Sequence, residues 1–195
     1  MRRKKTEAGQ KRTRIIIMGL FIVAVMVFSS FAVFMDNPAS GLKYNGFSFK
    51  YDDTGQMFSV KINKEEFFFR NHPADLEYIN VSKEAVELYK NADEVYITFE
   101  PKEDIYLGLF DSLRLDFSKN SGRNVLGATT ESSTLYDLPV KTCQDANQTS
   151  AVIYLKVGDA TSVSLDDSCI IFEAREYGFI KLRDRFYYAL FGVMK

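Results

Sequence analysis

Tryptophan is absent from this chain of 195 residues, histidine occurs once and cysteine twice. Each scarcity removes a class of chemistry. A zinc centre needs three or four thiolate or imidazole ligands at short spacings, and His72, Cys143 and Cys169 are widely separated. A cysteine nucleophile would have to borrow that same His72 as its base, and nothing local brings it to Cys143. The triplet Asp53-Thr54-Gly55 is the short signature of aspartic proteases, but the second copy that such a site requires is missing, so Asp52 to Gly55 read as a hairpin turn. Asp159 and Asp166-Asp167 lack the alternating spacing of a calcium loop and read as solvated turns. His72, lying before Pro73, reads as a surface or turn residue. No catalytic, metal-binding or cofactor-binding residue, and no cofactor, is assigned.

Charge is missing from one stretch altogether. Residues 15–34, "IIIMGLFIVAVMVFSSFAVF", contain no Asp, Glu, Lys or Arg. As a helix they would extend roughly 30 Å, the thickness of a bilayer's hydrocarbon core. The preceding residues 1–14 hold seven cations against the single acid Glu7, and the first charge after the run is Asp36. Cations on one side predict a cytoplasmic N-terminus, a transmembrane helix over 15–34 and an extracytoplasmic remainder. Ser30-Phe31-Ala32 could serve as a signal-peptidase site, but the long apolar run before it favours a retained anchor. The localisation expected is a cell membrane crossed once.

Removing the seven cations and one acid of the tail from totals of 25 and 26 leaves 18 basic and 25 acidic residues outside, a net charge near −7. An acidic domain excludes a nucleic-acid surface, which needs clustered cations. Residues 35–46, rich in small and turn-forming side chains, read as a stalk, and 47–195 are long enough for one domain with its own core.

Within that domain, "FSFKY" (47–51) and "MFSVKI" (57–62) alternate apolar and polar residues around the turn at 52–55, and 66–70 adds a third strand. Ser82 caps a helix over 82–92, a strand follows at 94–101, a helix at 102–120 and a short strand beyond Gly122. Residues 151–157 read as a strand, 161–165 as its antiparallel return and 169–172 as a further strand. The segment from 175 to 194 aligns Phe179, Leu182, Phe186, Leu190 and Val193 on one face of a closing helix, which places Phe186 and Leu190 inside and Lys181 and Asp184 in solvent. The fold expected is α+β, a mainly antiparallel or mixed sheet covered by two or three helices.

An extracytoplasmic pair of cysteines with no competing thiol predicts a Cys143–Cys169 disulfide. Closing that loop of about 27 residues removes roughly 3 to 4 kcal/mol of denatured-state entropy. Asn80-Val81-Ser82 and Asn147-Gln148-Thr149 are sequons, which makes Asn80 and Asn147 candidate glycosylation acceptors.

The strings "FFFRNHPADLEYINVS", "VYITFEP" and "RDRFYYALFGVM", with the cysteine pair, resemble a group of small archaeal single-pass membrane proteins without an assigned activity. The resemblance covers most of the outer domain and implies the same anchored topology. Two function classes follow from the whole reading: a non-catalytic interaction or structural module held to the bilayer by its N-terminal helix and meeting a protein partner in the envelope, or an envelope hydrolase or other enzyme with a dispersed site. A deep pocket with converging ionisable groups would favour the second.

Overall fold

A computed structural model describes residues 16–28, 42–102 and 104–195. The chain divides into two compact units, Met1–Gly41 and Leu42–Lys195. In the first, residues 16–28 form helix α1, whose apolar side chains are exposed. Among the described residues no helix is long and apolar enough to cross a membrane. The basic tail, Ile15 and residues 29–41 of the apolar run and stalk lie outside the described residues.

The second unit opens with a four-stranded antiparallel meander: β1 (Leu42–Tyr44), β2 (Phe47–Asp52), β3 (Met57–Ile62) and β4 (Glu65–Phe69). Strand β1 falls in the stretch read as a stalk. It pairs with β2 across Asn45-Gly46, whose φ angles of 45° and 83° are those of a tight two-residue hairpin that Asn-Gly favours. Phe49, Val60, Ile62 and Phe69 form the buried side of the meander.

After a 3-10 turn at Pro73–Leu76 the chain forms α2 (Lys83–Asn91), β5 (Glu94–Phe99), α3 (Leu107–Asn120), β6 (Asn124–Thr129), β7 (Ser150–Val157), β8 (Ser162–Asp166), β9 (Cys169–Ala174) and α4 (Gly178–Leu190). The α2 start is as read: Ala85 N–H donates to Ser82 Oγ at 3.1 Å. Strands β5 to β9 make a second, mixed sheet in the order β6-β5-β7-β9-β8, parallel except for the antiparallel β8–β9 pair. The architecture is α+β with one antiparallel and one mixed sheet, rather than a single sheet under helices. Strand β8 is not hydrogen-bonded to β7. The more apolar β9 inserts between them and leaves the polar β8 at the edge, because an inner strand is covered on both faces and Ser162, Ser164 and Asp166 would be buried there.

Helix α4 decides how the two sheets share a core. One side meets the mixed sheet and the other helices, with the Phe186 ring 5.4 Å from those of Phe172 and Tyr89. The opposite side meets the meander, with Tyr188 4.2 Å from Phe69 and Phe191 4.5 Å from Phe67. The helix therefore buries Phe186 and Leu190 as expected, the former within an unbroken buried run of seven residues from Leu182 to Tyr188. Asp184, expected in solvent, is fully buried because its side of the helix faces the chain leaving β4. Lys181 is half-buried, its ammonium 6.0 Å from the Tyr78 ring. Gly192, at φ 74°, ends the helix in the left-handed conformation that glycine adopts without strain. The turn lets Val193 N–H bond back to Tyr188 O and buries Val193 and Met194.

On the mixed sheet's other face residues 130–149 form a strap that leaves Tyr96, Tyr154 and Ile171 partly exposed. Cys143, in a 3-10 turn, is joined to Cys169 at the start of β9, with Cα atoms 5.1 Å apart, inside the span a disulfide tolerates. Beneath the strap Thr98 Oγ1 donates to Lys141 O at 2.7 Å, and Lys141 Nζ lies 5.0 Å from the Tyr96 ring centroid. Thiol labelling of the denatured, unreduced chain should modify neither cysteine. Cys143→Ser should cost about 3 to 4 kcal/mol of stability by urea unfolding. A reactive thiol in protein isolated without reductant would contradict the pairing.

Candidate functional site

Sequence-based candidates lie apart from one another. Asn80 and Asn147 are both exposed, and Asn147 Oδ1 accepts from Thr149 N–H, Thr149 Oγ1 and Ser150 N–H in a side-chain turn. Asp52 caps the hairpin turn, its carboxylate accepting from Thr54 N–H at 3.0 Å and Gly55 N–H at 3.2 Å, so the Asp53-Thr54-Gly55 triplet is turn backbone. Asp159 pairs with Arg175 at 3.0 Å. Among the described residues no cluster of His, Cys, Asp and Glu could hold a metal ion.

His72 caps a turn, consistent with its reading as a turn residue. Its Nδ1 accepts from Ala74 N–H at 3.3 Å and caps the 3-10 turn, while its ring sits 5.1 Å from Phe49 and 5.5 Å from Phe58. Burial holds its pKa below the usual imidazole value against the opposing pull of Asp75, which keeps Nδ1 free to accept.

The network next to it was not legible as a site. Asp184 Oδ2 accepts from Arg70 N–H and Asn71 N–H at 2.9 Å each and from Asn71 Nδ2 at 2.8 Å, and Oδ1 lies 3.1 Å from Arg183 Nη1. Burial pushes the Asp184 pKa up to about 6, although Arg183 and the N–H donors pull it down. Arg183 Nη1 also donates to Phe68 O at 3.3 Å, and Tyr188 Oη donates to Asn71 O at 2.7 Å. Arg185 binds the carbonyls of Ile79 and Lys195 at 2.8 and 2.7 Å. Residues 183–185 thus fasten α4 to the chain that leaves the meander.

On its solvent side this fastening shapes a cleft of about 570 Å³ lined by Leu42, Tyr51, Gln56, Phe58, Arg70 and Tyr177. Arg70 is fixed twice, by its backbone on Asp184 and by Nη1 donating to Gly55 O at 2.9 Å. Tyr177 Oη donates to Asn71 Oδ1 at 3.3 Å. Burial, then the nearby Asp184 charge, raise the Tyr177 pKa. Tyr51 packs on Phe58 at 4.9 Å yet stays 49% exposed, as does Tyr177. Two further hollows lie over the outer meander near Lys50 and Lys61 and between α2 and the end of α4, the latter bordered by Lys195, whose carbonyl Arg185 holds. The only sequence signal for the site is the charged triplet Arg183-Asp184-Arg185 inside an otherwise apolar helix. Compared with known proteins, the chain matches no family model, no curated protein and no solved structure.

Proposed function

We propose that this chain is a membrane-anchored envelope protein whose outer unit is a non-catalytic interaction module. The N-terminal apolar run is its single transmembrane helix, the basic tail lies in the cytoplasm, and Leu42–Lys195 face outward toward a protein partner in the envelope, as the resemblance to archaeal single-pass proteins also suggests. The observation that carries the topology is the Cys143–Cys169 disulfide, chemistry of an oxidising compartment, in a chain that begins with seven cations and an uncharged run. The cleft supports binding over turnover: its walls are aromatic, its fixed charge is a guanidinium, and the nearest buried carboxylate, Asp184, lies behind Asn71 with Oδ2 holding three N–H donors and Oδ1 beside Arg183.

Protease added to intact cells or spheroplasts should remove the outer unit and leave a small basic fragment in the membrane. A protected C-terminus, or a mature chain beginning near Val33, would overturn the topology. Capture from native membranes with the intact protein should recover an envelope protein.

A further inference from the structure

Among the described residues that line the cleft Arg70 is the one cation, in a domain whose net charge is near −7. Arg70 has no carboxylate within ion-pair distance among the described residues, and Gly55 O is the one acceptor met by its guanidinium. Its planar fork therefore presents donors to the cleft, beside the half-exposed rings of Tyr51 and Tyr177 and the exposed amide of Gln56. Each main group is pre-positioned: Arg70 through Asp184 and Gly55, Tyr177 through Asn71, and Tyr51 against Phe58.

We infer that this cleft binds a saccharide residue bearing a carboxylate, with the sugar ring laid on a tyrosine face and the carboxylate on Arg70. A guanidinium matches a planar carboxylate through two parallel N–H bonds. An aromatic face offers amphipathic contact at little entropic cost, which suits the C–H face of a sugar ring. The Gln56 amide can both donate to and accept from hydroxyl groups. A phosphate dianion would call for more than one cation. The volume of this open cleft, about 570 Å³, is within the range of small-molecule sites. This assignment rests on the outer unit being a binding module and names what that module recognises.

The test is calorimetric titration of the full chain in detergent with trigalacturonate, with a neutral trisaccharide of the same length, and with phenylacetate. Saturable binding of the uronate is expected, with the neutral sugar and phenylacetate at least about tenfold weaker. Arg70→Ala and Tyr177→Ala should each weaken uronate binding by about tenfold, whereas Tyr177→Phe, which keeps the ring, should stay within roughly threefold. Tyr51→Ala, at the half-exposed rim, should also weaken uronate binding while the variant stays folded. No saturable uronate binding, equal affinity for the neutral sugar, tighter binding of phenylacetate, or indifference to Arg70→Ala in a folded variant each overturns the inference. Shortening of the trisaccharide during the titration would leave the ligand assignment standing and overturn the non-catalytic reading. Failure to bind, with topology intact, would do the reverse.

Discussion

Asp184→Ala should lower the stability of the outer unit by about 3 to 5 kcal/mol, the usual cost of removing one member of a buried, hydrogen-bonded charge pair. The substitution leaves Arg183 with the longer 3.7 Å contact to Asp116 and the Phe68 carbonyl, and strips an acceptor from Arg70 N–H, Asn71 N–H and Asn71 Nδ2. Each orphaned donor costs about 1 to 3 kcal/mol, and neighbouring water can relieve only part of that. For a unit of this size the melting temperature should fall by roughly 6 to 20 °C. A fall below about 2 °C would show that the network is incidental.

Asp184→Asn separates charge from shape. The folded-state pKa of Asp184, about 6, lies above the unperturbed 3.8, so the folded protein holds this proton more tightly than the unfolded chain does. Its contribution is complete below about pH 4 and is lost as pH rises through about 6. Stability of the natural protein should therefore carry a component that declines over that window, and Asp184→Asn should remove it. An unchanged pH profile in the variant would assign the titration elsewhere.

Phe186→Ala should cost about 3 to 5 kcal/mol, the range for a fully buried aromatic ring whose site cannot collapse. The ring is completely buried and meets Tyr89, Phe117 and Phe172, from α2, α3 and β9 in turn. Three elements converge on it, so backbone movement from any one of them cannot fill the void. Urea unfolding at constant m-value measures the loss, and a change under about 1 kcal/mol would mean the closing helix is packed differently in solution.

Strand positions were legible where side chains alternate, as in "MFSVKI", and the α2 start was legible because Ser82 supplies a cap that acts within one turn. Local physics fixes such features. Phe186 and Leu190 lie where helical spacing put them. The cleft was not legible, because Tyr51, Arg70 and Tyr177 are distant in sequence and come together only when α4 packs across the meander.

By itself the sequence determined the α+β class, most element positions and, through a single pair of thiols, the disulfide. Pairing order, the presence of two sheets and the burial of Asp184 were decided by tertiary structure. A strand's propensity does not say which neighbour it will take, so β9 could displace β8 from β7 only in competition for the sheet's interior. Likewise a helix with one good apolar face reads as half-exposed until a second sheet arrives to cover the other. At that point a charged residue can go inside, because donors from a distant part of the chain are waiting to meet it.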